Sequence, residues 1–380
     1  MMSRIYVIFP LLIKIVSCHM RFISLGNWGT NSSQQKTIAE TLKKVVSDEH
    51  ITFFVSPGSN FKHGVTSTQD ILWKKAFEDV YNSTDKSMNL LFFTVMGSGD
   101  WLGDCNSQVA QPNFNGSEPN KNANDIQNGY PKWTIPNYWY HYFTHFTTTG
   151  NTLLSGHKDV GVGFIFIDTW VLSPSFPFNK IHDKAWLELE TTLKIASKVV
   201  EFIIVVGDKP IYSSGSSKGD SYLEKKMLPL LKMANVDMYI AGHDHDMEVI
   251  QKDGISHIIC GTGGSYGRKS LIKNDKSMFY SDKSGFCLHE LSLEGITTKF
   301  INGNDGSVLY THTQPIKTRK EMSKGNEIKY LSMLPPVVLT PIPTQVIVKD
   351  GDAFVKIVGS IGILIALGFA TIAVAAKTAT

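Results

Sequence analysis

Five Gly-polar clusters mark where this chain could do chemistry: Gly26-Asn27-Trp28-Gly29, Gly58-Ser59-Asn60-Phe61, Gly97-Ser98-Gly99-Asp100, Gly207-Asp208-Lys209-Pro210 and Gly242-His243-Asp244-His245. Each follows a short apolar run, as a tight turn at a strand end would. If those runs lie side by side, the five loops converge on one sheet edge, where open α/β sheets place their sites. The chemistry open to them is that of the imidazole, carboxylate, hydroxyl and amide groups they contain. One Gly-Asp or Gly-Ser turn says little, whereas an ordered set ending in Gly-His-Asp-His says much more.

The elements that must carry these loops follow from the apolar pattern. Residues 22–25, 52–55, 91–95, 163–167, 202–206, 238–240 and 257–259 read as buried strands, and 34–46, 184–198 and 222–233 as helices between them. This alternation predicts a mixed α/β fold. Residues 103–129 are polar and rich in Asn, and predict a long surface loop. No internal repeat is present. With 42% hydrophobic and 19% charged residues over 380 positions, a mainly disordered chain is excluded. A net charge of +3 gives no basic stripe for nucleic acid. Four cysteines cannot staple a chain of this size, so a hydrophobic core must hold it.

The two ends read as addresses. Arg4, the apolar run 5–16 broken only by Lys14, and Ser17-Cys18 predict a signal peptide over 1–18, with a buried N-terminal strand as the alternative. Sequons at Asn31, Asn82 and Asn115 suit a lumenal domain. Cys105, Cys260 and Cys287 would then remain, so at least one thiol is free or paired between chains; a Cys260–Cys287 bridge and two free buried thiols both stay open. Residues 357–376 are uncharged and span roughly 30 Å as a helix, with Lys356 and Lys377 at the borders. They predict a transmembrane helix over 353–377, and too little polar spacer precedes it for a lipid-anchor signal. The expected order is signal peptide 1–18, domain 19–316, basic and Pro-rich stalk 317–352, membrane helix 353–377 and cytosolic tail 378–380. So short a tail leaves coupling across the membrane to the helix itself. Gly362, Ala366 and Ala370 lie four apart, on a ridge where a second helix could approach closely.

The loops resemble, in order, the purple acid phosphatases of the calcineurin-like metallophosphoesterase superfamily, whose motifs run G-D-W-G, G-D-N-F-Y, G-N-H-D, G-H-Y-P and G-H-D-H. Residues 132–140, 166–169 and 185–188 also look like family segments. The resemblance implies a four-layer sandwich, two mixed β-sheets flanked by helices, and a binuclear metal site for phosphate esters. It also exposes departures. Asn27 stands for an aspartate ligand, Ser59 for the bridging aspartate and Lys62 for a tyrosine ligand. Ser98 stands for an asparagine ligand, Gly99 for the histidine that assists the leaving group, and Asp208 for a histidine ligand; His243 and His245 are unchanged. Two divalent ions about 4 Å apart repel by roughly 17 kcal/mol at an effective dielectric of 20, and little anionic charge is left to offset it. Losing the histidine at Gly99 removes general-acid help, typically about 10²–10⁴-fold. The expectation is a catalytically dead or very weak site that requires no metal; one weakly held divalent ion on His243, His245, Asp208 and Asn27 stays open, although the family pattern divides these four between two half-sites. His141, His145 and His157 read as packing or surface residues.

Residues 58–61, 137–146 and 204–215, together with the signal and tail, look like the phosphatase-like glideosome-associated membrane anchors of apicomplexan parasites. That resemblance implies a single-pass protein, targeted through the ER to the inner membrane complex, with its domain in the lumen. It further implies, as partners at the cytosolic face, a myosin motor, its light chain and an acylated glideosome-associated protein. A lumenal acid phosphatase of low activity, or a lumen-side or surface receptor binding a ligand in the old cleft, are the alternatives.

Overall fold

The computed structural model describes residues 19–83, 86–109, 132–148, 158–270, 272, 274–319, 333, 346–349, 352–357 and 363–366. In chain order its first elements are β1 (Met20–Ser24), α1 (Ser33–Glu49), β2 (Phe53–Ser56), a π-helical turn (Trp73–Glu78) running into α2 (Asp79–Tyr81), β3 (Leu91–Thr94), a 3-10 turn (Asp100–Leu102) and α3 (Cys105–Val109). Then come β4 (Lys132–Thr134), β5 (Trp139–Thr148), β6 (Lys158–Ile167), α4 (Asn179–Val199), β7 (Phe202–Val206), α5 (Ser221–Met233) and β8 (Met238–Ala241). Strands β9 (Met247–Lys252), β10 (Ile255–Cys260), β11 (Ser277–Ser281), β12 (Gly285–Ser292), β13 (Gly295–Asn302) and β14 (Val308–Pro315) complete the domain.

The strands form two seven-stranded mixed sheets, ordered β14-β13-β12-β1-β2-β3-β4 and β11-β9-β10-β8-β7-β6-β5. Strands β1 to β4 run parallel in one sheet, and β6, β7, β8 and β10 in the other. Parallel strands are covered on both faces, and all five residues of β7 are accordingly apolar and buried. Phe22 and Phe53 meet Phe164 edge-on across the inter-sheet core, at 5.2 and 5.1 Å between centroids. On the opposite face of the first sheet, Phe92 joins Trp28, Phe77 and Tyr81 in an aromatic layer below the helices.

Among the described residues, two of the three long helices, α1 and α5, start at a capping side chain. Ser32 caps α1 by accepting from the Gln35 N–H at 3.1 Å, while Gln35 Oε1 accepts from the Asn31 N–H. Ile38, Leu42 and Val46 then recur on its buried face. Asp220 caps α5 through Tyr222 and Leu223.

The strands and helices expected from the apolar runs are present, most with longer ends. Strands β4, β5, β9 and β11–β14 lie where that reading expects none. In β12 and β13, Glu, His, Thr and Lys interrupt the apolar residues, so no continuous run announces a strand. Of the expected loop over 103–129, residues 103–109 are described and carry α3, nucleated by Asp104, whose carboxylate accepts from Asn106 N–H and Ser107 Oγ; 110–129 lie outside the described residues.

Among the described residues no helix is long and apolar enough to cross a membrane. Of the helix expected over 353–377, the described parts are strands, Asp352–Ile357 and Ile363–Ala366, in an antiparallel ladder with Val346–Lys349. Both pieces carry β-branched residues, Val355 and Ile357 in the first and Ile363 and Ile365 in the second, and an apolar run alone does not choose between strand and helix. The expected signal peptide, Asn115, His157, Gly362, Ala370 and the tail 378–380 lie outside the described residues, while Ala366 ends the last of these strands.

Candidate functional site

The five loops do converge, but from both sheets rather than one. Those after β1, β2 and β3 belong to the first sheet and those after β7 and β8 to the second. Backbone bonds sew them together: Gly26 N–H donates to Cys260 O at 2.7 Å, and Gly242 and His243 N–H both donate to Asp208 O at 3.0 Å.

Asp208 is the centre of the cluster and is buried. Its carboxylate accepts from Ser98 N–H at 3.1 Å and Ser59 Oγ at 3.2 Å, and lies 3.3 Å from His243 Nδ1. Glycine makes this possible. A Cβ on Gly97 would come within 2.4 Å of Asp208 Oδ1, and one on Gly58, at φ +89°, within 2.7 Å. Ser98 Oγ and His243 Nδ1 share a further hydrogen bond of 3.2 Å. Burial works against a charge on His243, but the bond and charge of Asp208, with help from Asp244, hold the imidazole above its ordinary range.

Asn27 occupies the left-handed region at φ 53°. Its Nδ2 donates to the carbonyls of Gly242 at 2.6 Å and Gly261 at 3.0 Å, tying the β1 loop to the second sheet. An aspartate there would set a carboxylate against two carbonyl oxygens, tolerable only with a cation between them. His245 points its Nδ1 to Ser265 Oγ at 3.1 Å. Burial, with the charges of Arg268 and His243 and a smaller one from Lys62, lowers it to about 4. Lys62 itself is exposed. At Gly99 the chain closes in: a Cβ would lie 3.1 Å from the carbonyls of Phe61 and Lys62.

The structure thus joins Asn27, Ser59, Ser98, Asp208 and His243 through side-chain and loop hydrogen bonds, and leaves Lys62 at the rim. His141 is half-buried and His145 exposed on β5, apart from these bonds. Sequence reasoning gave no role to Asp100, a fully buried carboxylate accepting from the N–H groups of Asn60, Phe61 and Gly97, each at 2.9 Å, and from Gln108. Burial still lifts it to about 6. Nor did it single out Asp244, which gathers the hydroxyls of Ser213, Ser216 and Ser217 and fixes that loop. The signal for both was their place inside the Gly-polar clusters.

A binuclear metal centre does not fit these residues. The bridging position is a hydroxyl, Asn27 presents its N–H₂ to protein carbonyls, and Asp208 is engaged by three protein groups. Among the described residues, no group of three or more His, Cys, Asp or Glu side chains is placed to hold a metal ion.

Residues 14–247 match the calcineurin-like phosphoesterase family. Glideosome-associated protein 50 of Plasmodium falciparum is 48% identical over 95% of this chain and 92% of its own length. Tartrate-resistant acid phosphatase type 5 of Oryctolagus cuniculus is 25% identical over 77% of this chain and 90% of its own. Among solved structures, "GAP50 the anchor in the inner membrane complex of Plasmodium" superposes with a TM-score of 0.79 at 48% identity, covering 86% of this chain and 98% of that one.

Proposed function

The chain belongs to the calcineurin-like phosphoesterase family, and from that premise we propose that it is a non-catalytic member which anchors a gliding-motor complex to the inner membrane complex. The observation that carries the non-catalytic part is the self-satisfied cleft. Asp208, Ser59, Ser98 and His243 bond to one another, and Asn27 spends its amide on backbone carbonyls. No metal is required by this reading, and the histidine that would help a leaving group is Gly99. The anchoring part is supported by 48% identity to a protein described as the anchor in the inner membrane complex.

On this reading the chain enters the ER by its signal peptide, keeps the domain in the lumen and crosses the membrane once over 353–377. A three-stranded ladder has two open edges whose N–H and C=O groups would find no partner in hydrocarbon, so the bilayer favours a helix there. Gly362, Ala366 and Ala370 would then offer the close-approach ridge. The partners are a myosin motor, its light chain and an acylated glideosome-associated protein.

Affinity capture of the full chain from membranes, beside a chain ending at Val348, tests this. The motor proteins are expected with the full chain and not with the shorter one; equal recovery from both would refute anchoring through the span. Turnover of a phosphate monoester above about 1 s⁻¹ with added divalent metal would refute the non-catalytic part.

A further inference from the structure

Among the described residues, strand β14 is an edge strand of the first sheet, paired only to β13, and it is the last strand before the stalk. Its inward residues reach across to the second sheet. His312 Nε2 lies 2.9 Å from Ser256 Oγ on β10, and the same hydroxyl donates to Gln314 Oε1. The stitching continues past the strand. Ile316 N–H donates to Glu294 O at 3.1 Å, and Lys317 Nζ donates to Val236 O. The Arg319 guanidinium donates to the carbonyls of Glu201 and Asn235 and to Asp237 Oδ2, the last at 2.7 Å. Both side chains of this ion pair are buried, Arg319 at 7% exposure and Asp237 at 1%. Residues 317–319, read from sequence as the start of the stalk, are therefore held on the domain.

Asp237 sits where three parallel strands begin. Its carboxylate accepts from Ile203 N–H of β7 at 2.7 Å, its backbone exchanges bonds with Ile203 and Ser256, and β8 starts at the next residue. The cleft loops leave the other ends of β7 and β8. The chain thus departs from the pole opposite the cleft, about 17 Å away along a five-residue strand.

We infer that Lys317 and Arg319 form a latch, which fastens the stalk to the start of the second sheet so that tension from the membrane segment meets the Arg319–Asp237 pair before it reaches β14. Without the latch, a pull on the C-terminal end of β14 would break its ladder with β13 one rung at a time. With it, a desolvated ion pair and three carbonyl bonds, in different directions, must fail together. The source of tension rests on the anchoring role proposed above; the latch does not.

Hydrogen exchange read by mass spectrometry on the full chain in detergent micelles tests it, beside a single-molecule pull applied through the C-terminal segment. Arg319→Gln is expected to raise exchange over 308–315 by about tenfold or more and to lower the first rupture force, while the Gly207 and Gly242 loops exchange as before. Arg319→Lys keeps the charge but loses the planar fork, so it should show a smaller change in the same segment and serves if the glutamine variant does not fold. Unchanged exchange over 308–315, or an unchanged first rupture force, would overturn the latch. Neither readout needs the motor proteins, so failure of the capture experiment is distinguishable from failure here.

Discussion

At the C-terminal ends of β7 and β8 a buried carboxylate, Asp208, is held by a serine hydroxyl, a backbone N–H and an imidazole. At the N-terminal ends of the same strands another, Asp237, is held by a backbone N–H and by a guanidinium from the departing chain. A buried anion needs partners of matching strength. The cleft pole finds them within its own loops, using glycines at 58 and 97 to bring them close. The exit pole finds its partner 82 residues further along the chain. The first arrangement closes a site, and the second fastens a segment.

The comparison breaks most readily by adding a second anion to the cleft. Asn27→Asp would leave a carboxylate facing the carbonyls of Gly242 and Gly261 with no cation to spare. The expected loss is about 3–5 kcal/mol, as for an uncompensated buried charge, or a Tm lower by roughly 5–8 °C for a domain of roughly 300 residues. Calorimetry in chelator and then in Mn²⁺ or Zn²⁺ checks it. A variant as stable as the parent in chelator would show that the cleft accommodates a second carboxylate with no cation at all, and the account of a self-satisfied pole would fall.

Between the poles, His289 is fully buried, stacked on Phe22 and bonded to Ser24 Oγ at 2.8 Å and Thr298 Oγ1 at 2.9 Å. Burial lowers it to about 3, so it is neutral in the folded state at pH 7. The unfolded chain takes up a proton near pH 6.5, whereas the folded one waits until about 3. Stability is therefore lost as pH falls from 6.5 towards 3, by on the order of 2–4 kcal/mol from this residue. His257, also buried and lowered to about 3, adds in the same direction. Denaturant unfolding of the parent and of His289→Gln between pH 7 and 4 should show a shallower acid loss in the variant. Parallel curves would mean that His289 is solvated or paired in a way its two hydroxyl contacts do not supply.

How much of this was legible depended on whether a residue's role lay in its own segment. The run Phe-Ile-Ile-Val-Val of β7 announces a buried strand, and the following Gly-Asp marks the loop. Strand β14 hides because His312 and Gln314, though buried, are polar and hydrogen-bonded across the sheets. The type of Asp208 was visible but its occupation was not, since a carboxylate can serve a metal or two loops equally well. Arg319 was least visible, as one cation in a basic stretch reads as solvated until Asp237 is placed beside it.

The smallest effect is also the sharpest discriminator between the poles, because its pH dependence runs opposite to that of His289. The Asp208 carboxylate holds His243 above its ordinary range against the effect of burial. The pair therefore contributes stability that is fully present below about pH 6.5 and fades as pH rises through the folded midpoint of His243. Asp208→Asn keeps an oxygen for Ser98 N–H and Ser59 Oγ but removes the charge. It should cost about 1 kcal/mol near pH 6, with the deficit shrinking towards pH 8, and nuclear magnetic resonance should show the His243 midpoint moving down. Asp237→Asn, by contrast, should fade much less, because the Arg319 guanidinium stays charged throughout that range and only the weaker charge of Lys317, which burial lowers to about 8, is lost at its upper end. Were both deficits flat with pH, His243 would not be partnering Asp208 as a cation, and the cleft would be held by neutral hydrogen bonds alone.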